Sequence, residues 1–143
     1  MKKNYIDLIN ESQISINIDT LNTIFNWMKE DLVFAKDDTC CLKLSDNKDI
    51  QTFNNKYRGN NTMTDVLTFP CEIPNIPFKG DIIVNTIIAD NQKGNHTLEK
   101  ELFILFIHGL LHLAGMNHIT KKDQTRMHLY EEKYRDKLRK LKG

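Results

Sequence analysis

Three histidines fall within eleven residues, in the stretch HGLLHLAGMNH that runs from His108 to His118. His108 and His112 are four apart, so on a helix their side chains stand on one face, one turn above the other. At that spacing two imidazoles can bind a single metal ion. Gly115 follows three residues later, where a helix can stop in a left-handed cap that only glycine adopts cheaply. The chain can then turn back and bring His118 towards the same point. A lone histidine on an apolar helix face is ordinary core packing. Three of them at spacings of four and six, with glycine at the bend, point instead to a metal centre with His108, His112 and His118 as ligands. Three neutral imidazoles with a fourth position open describe a catalytic zinc site, whereas structural sites are closed by a fourth protein ligand.

The elements that must hold these residues can be read around them. From Leu98 to Leu113 the chain is apolar nearly all round, which predicts a helix buried through the domain centre. Thr97 is its expected N-cap, with Glu99 and Glu101 in a first turn that favours acids. A last helix starts near Thr120, where Asp123 three residues on resembles a capping box. Met127, Tyr130, Tyr134, Leu138 and Leu141 form its inward stripe. Upstream, Asp19 and Thr20 are expected to cap a helix carrying Leu21, Ile24, Phe25, Met28 and Leu32 inward. Tyr5 to Glu11, Thr39 to Ser45, Thr64 to Pro70 and Gly80 to Val84 read as strands, and Thr86 to Gln92 as a short helix. Between the second and third strands, Ile50, Phe53, Asn54 and Tyr57 follow helical spacing up to Gly59. Arg58 then lies at a helix C-terminus, where the dipole alone already favours a cation. Strands alternating with helices predict an α/β (α+β) fold in a single domain, residues 1–143. A small mixed sheet of about four strands, with helices around the central buried one, fits the count of elements.

Composition bounds what such a domain does. A hydrophobic content of 40% with 27% charged residues is that of a globular protein. The longest apolar run, near Leu102 to Ile107, is too short to span a bilayer. MKKNYIDLINES has no apolar core or small-residue cleavage site and is not read as a signal peptide. Cys40, Cys41 and Cys71 are odd in number and lack CxxC spacing, so reduced thiols in the cytoplasm are expected. The net charge of +1 is unevenly placed. Residues 121–143 carry nine Lys/Arg against four Asp/Glu, leaving −4 on the preceding 120. A basic tail can attract phosphates, or simply be the solvated face of a helix.

The histidine stretch resembles the HGxLHLxGYDH signature of the YbeY endoribonucleases, also called rRNA maturation factors. Asn54 to Gly59 followed by Thr64 to Pro70 is similar to that family's N-x-x-YRG…PTDVLSFP block, and Gly80-Asp81-Ile82 to its GDI strand. The resemblance implies a single-strand-specific, metal-dependent endoribonuclease acting in 16S rRNA 3′-end maturation and ribosome quality control. Its partners would be single-stranded rRNA and the ribosomal small subunit, with no membrane and no DNA expected. Carried over residue by residue, it makes His108, His112 and His118 the ligands of one Zn2+, or another divalent metal. Arg58 becomes the catalytic arginine beside the metal, and His112 is counted with it among the catalytic residues. Two positions depart from the signature. Met116 stands at its tyrosine and Asn117 at its aspartate, so an anionic base at 117 is missing while metal binding should survive. Met63 also stands at the proline before Thr64-Asp65.

The expected chemistry is attack on an RNA phosphodiester. Zinc would polarise a phosphoryl oxygen or activate a water, and Arg58 would place its planar fork against the phosphate. Asp65 and Asp81 could orient ligands, although packing or strand capping suffices to explain them. Two rival readings exist. HxxxHxxGxxH also looks like the metzincin protease pattern, but Gly109 occupies the position of its general-base glutamate. Alternatively the zinc only stabilises a ribosome-assembly factor, in which case Cys71, His96 or His128 would close the fourth position.

Overall fold

In the computed structural model, residues 3–45 and 65–141 are described. Their elements in chain order are β1 (Ile6–Asn10), α1 (Ile18–Asp31), β2 (Thr39–Ser45), β3 (Val66–Pro70), β4 (Phe78–Asn85), α2 (Thr86–Gln92), α3 (Leu98–Leu113) and α4 (Lys121–Lys140). The strands form one mixed sheet in the order β1-β2-β4-β3. β2 runs parallel to both neighbours, with Leu42 level with Leu8 on one side and Ile82 on the other. β3 returns antiparallel along β4, setting Leu67 opposite Ile83 and Pro70 opposite Gly80. The edge position suits Pro70, which has no N–H to give a further strand.

Central parallel strands are covered on both faces, and their sequences show it. In TCCLKLS of β2, Cys40, Cys41, Leu42, Leu44 and Ser45 are all buried. Burial pushes the Cys40 thiol up to about 12 and the Cys41 thiol up to about 11, the latter helped by Asp81 on the adjacent strand. Both thiols therefore behave as small apolar side chains and not as nucleophiles.

One face of the sheet carries the main core. Ile82 and Val84 point into it from β4 and Leu42 and Leu44 from β2, meeting Leu21, Ile24, Phe25 and Met28 of α1. Ile83 points the other way, as the pleat requires, and joins Leu67 in a smaller cluster. α1 starts two to three residues earlier than expected. Its N-cap is Asn17, whose side-chain oxygen accepts from the Asp19 and Thr20 N–H groups, so those two residues lie inside the first turn.

α3 has the bounds and the Thr97 cap that its sequence predicts, and nine of its sixteen residues are buried. It lies against β4 so closely that a Cβ at Gly109 would come 2.7 Å from the Ile82 methyl Cγ2. α4 opens with the expected capping box, in which Thr120 accepts from the Asp123 N–H while Asp123 accepts from the Thr120 N–H. Met127, Tyr134 and Leu138 are buried and Tyr130 packs beside them. Leu141, in contrast, is the C-cap and 40% exposed. The Tyr134 hydroxyl donates to Asp31 at 2.9 Å and Lys133 pairs with the same carboxylate, pinning α4 to the end of α1.

The Gly109 seat sets the height of α3 over the sheet. Gly109→Ala should therefore cost about 1–3 kcal/mol, the usual penalty of overpacking. A denaturant midpoint lowered to match, with far-UV circular dichroism unchanged, is the expected result.

Candidate metal centre

His108 and His112 project from the last two turns of α3. The helix then ends in a Schellman arrangement. The Gly115 N–H donates to the His112 carbonyl at 2.9 Å, and the Met116 N–H to the Leu111 carbonyl at 3.0 Å. Gly115 has φ of +96°, the left-handed conformation its sequence position predicts. Met116, just past the cap, drops its side chain into the main core and so anchors the turn. Asn117 then accepts the Ile119 N–H on its side-chain oxygen at 2.9 Å, closing a local turn around His118. The amide at the signature's aspartate position is thus engaged with its own backbone.

This path brings the three rings together. Centroids lie 4.6 Å apart for His108 and His112, and 5.2 Å from each of these to His118. One nitrogen of each ring falls within 4.8 Å of the other two. The Nε2 atoms of His108 and His112 are only 3.1 Å apart. What each carries follows from the opposite side of its ring. His112 Nδ1 lies 3.0 Å from the Met116 carbonyl oxygen, which can only accept, so Nδ1 holds the proton and Nε2 is a bare lone pair. His108 Nδ1 faces the Glu131 carboxylate of α4 at 3.4 Å, so its Nε2 is turned inwards, towards His112. Both Nε2 atoms therefore point at one small volume that His118 also borders. Such a donor set fits a cation, and imidazole nitrogens suit zinc and the other late first-row metals.

Protonation states agree. Burial, followed by the neighbouring His108 and His118 rings, lowers the His112 pKa from 6.5 to about 4. Glu131 is held below the usual carboxylate range, chiefly by its hydrogen bond with His108. At neutral pH the ring is a neutral donor and the acid an anion.

The other residues singled out in the sequence lie elsewhere or outside the described part. Arg58 falls outside the described residues, as do Lys56 and Tyr57. Asp65 accepts from Gln92 at 3.1 Å, and the same amide reaches Glu101. Glu101 stands about 10 Å along α3 from His108. His96 is bound to Glu101 at 2.6 Å, and His128 is exposed on α4. Cys71 lies in the β3–β4 connection, its N–H donating to Lys79. Among the described residues no fourth His, Cys, Asp or Glu joins the three histidines. Gly109 faces Ile82 and not the cluster, so the position of a metzincin base lies against the sheet. Glu131 is the neighbour that sequence reasoning missed. Its signal was an acid at the centre of an apolar stripe, between Met127 and Tyr134.

A family profile described as Endoribonuclease YbeY matches residues 7–139. The chain belongs to the endoribonuclease YbeY family. Endoribonuclease YbeY of Nautilia profundicola is 33% identical, the match covering 85% of this chain and 84% of that protein. The Staphylococcus aureus protein of the same name is 37% identical over 71% of this chain and 79% of its own. The solution structure of TM1509 from Thermotoga maritima superposes with a TM-score of 0.61 at 27% identity, covering 94% of this chain and 91% of that one. YbeY membership and the fold deduced from the sequence thus agree with the four-stranded mixed sheet and its buried histidine helix.

Because the folded pKa of His112 lies below its unfolded value, folding favours the neutral ring. That contribution is complete above about pH 6.5 and is lost as pH falls towards 4. Denaturant midpoints of chelator-treated protein should fall across this window, and His112→Gln should flatten the decline. Equal slopes for the two proteins would show that His112 does not carry it.

Proposed function

We propose that this chain is a metal-dependent endoribonuclease that cuts single-stranded RNA, with His108, His112 and His118 holding one zinc ion. The observation that carries the reading is the pair of Nε2 atoms 3.1 Å apart, with a third imidazole closing the same volume. When bound, the ion supplies a Lewis acid that polarises a phosphoryl oxygen and lowers the pKa of a coordinated water.

The chain's own residues do the rest. The Met116 carbonyl holds the His112 tautomer, so that its donor nitrogen faces inwards at every turnover. Arg58 stands where the likeness of Asn54 to Gly59 to the N-x-x-YRG block puts the arginine, and its proposed role is to bind the phosphate with its fork and offset charge that builds on it. Lys121, Lys122 and Arg126 are exposed on the first turns of α4, close after His118, and none forms an ion pair among the described residues. The cations further along differ, since Lys133, Arg135, Arg139 and Lys140 all face carboxylates. The beginning of α4 is thus a part of the basic tail available to an RNA backbone. The role in the cell is 16S rRNA 3′-end maturation and ribosome quality control on the small subunit, in the cytoplasm. No helix among the described residues is long and apolar enough to cross a membrane.

Incubation with a labelled single-stranded RNA tests the reading. Wild type should cleave it, a chelator should stop cleavage, and added zinc should restore it. His112→Ala should be inactive and metal-poor, whereas Arg58→Ala should be inactive with zinc still bound. Full cleavage by His112→Ala would end the proposal.

Binding is tested separately, through the dependence of RNA affinity on salt. Alanine at Lys121, Lys122 and Arg126 together should lower the slope of log K against log salt by roughly 0.7 for each phosphate that the protein no longer neutralises. The same change at Arg135 and Arg139 should leave it near the wild-type value.

A further inference from the structure

We infer that Glu131 is the outer-shell carboxylate of the metal centre, a positioning residue that fixes the His108 ring and sets how tightly the ion is held. The inference rests on the metal-centre reading above and goes beyond its three ligands. Glu131 Oε1 lies 3.4 Å from His108 Nδ1, on the side of the ring opposite the nitrogen that meets His112. A ligand imidazole that donates its second N–H to a carboxylate is locked in one tautomer, is held in orientation, and is a stronger base towards the metal. His112 has its counterpart in the Met116 carbonyl, which is neutral. Glu131 therefore brings the anion of the pair.

Three features make the approach more than chance. Glu131 comes from α4 and His108 from α3, 23 residues apart in sequence, so the packing of two helices places it. The buried Met127 and Tyr134 hold α4 on either side of it, one turn away in each direction. Both partners are largely covered, with side chains 24% and 21% exposed, so water screens the interaction less than at an open surface. The centre also has a place for such a charge. Three neutral imidazoles leave both positive charges of a divalent ion uncompensated, and the residue next to His118 is Asn117, whose oxygen is engaged with the Ile119 N–H. In this chain the compensating carboxylate stands on another helix.

The test is zinc affinity, measured by competition with a chromophoric chelator for wild type, Glu131→Gln, Glu131→Ala and His112→Ala. Glu131→Ala should bind zinc about 10–100-fold more weakly. Glu131→Gln, which keeps an acceptor and loses the charge, should fall between Ala and wild type. Thermal melting of the chelated wild type and the two Glu131 variants should be nearly the same. A Glu131→Ala protein that melts much lower even without metal passes the test to Glu131→Gln, whose size and shape are preserved. Wild-type affinity in Glu131→Gln and in a folded Glu131→Ala, while His112→Ala loses zinc, overturns the role of Glu131 and leaves the metal centre standing. Zinc binding by His112→Ala as tight as wild type removes the metal centre itself, and the role of Glu131 with it.

Discussion

The Nε2 atoms of His108 and His112 meet 3.1 Å apart, and a group on the far side of each ring keeps them there. His112 is bonded through Nδ1 to a carbonyl belonging to the turn that ends its own helix, and burial holds its pKa far below neutrality. His108 is tied through Nδ1 to another helix. The centre is thus held in place by the packing around it, as is usual where a protein organises groups for binding.

That packing is specific. α3 can rest low on β4 because Gly109 presents no side chain to Ile82, and the same absence of a side chain removes the base that a zinc protease of this motif needs. One glycine therefore serves the seating of the helix and separates this chemistry from its nearest lookalike. Gly115 serves a different end. Its left-handed backbone reverses the chain, the buried Met116 anchors the reversal, and Asn117 closes a second turn before Thr120 starts α4. Across these six residues nearly every step is fixed by a hydrogen bond or a buried side chain. His118, itself exposed, is consequently placed by its neighbours in the chain and not by contacts of its own ring with the core.

Much of this was legible in the sequence because its causes are local. The bounds of β2, α2 and α3, the Thr97 cap, the Thr120–Asp123 capping box and the left-handed Gly115 depend on residues within one turn of each other. What escaped depends on distant parts of the chain. The strand order β1-β2-β4-β3 is a tertiary fact, and alternation of polarity carries no trace of it. Asn17 displaced Asp19 as the cap of α1, and its own N–H donates to Glu99 of α3, a partner 82 residues away. Glu131 was passed over for the same reason. Within α4 it is an acid set on the apolar stripe, and only the approach of α3 gives that position its partner, His108. The three histidines were read from spacing, but the groups that face their rings were not, since a carbonyl and a carboxylate have no motif.

α4 then does more than cover the core. At its middle it presents Glu131 to the metal centre, and a turn further on it is pinned to α1 through Tyr134, Lys133 and Asp31. A ligand that binds only the folded state stabilises it in proportion to the logarithm of its concentration over its dissociation constant. A cation held by α3 and supported from α4 stabilises that helix pair first, because the ligands and their carboxylate belong to both. Loading the centre and docking α4 are then one equilibrium seen from two sides. The same helix carries the exposed Lys121, Lys122 and Arg126 at its start, so whatever fixes α4 also fixes the charges proposed to meet an RNA backbone. On the proposed reading, metal, helix packing and substrate binding are coupled through α4 with no moving part needed between them.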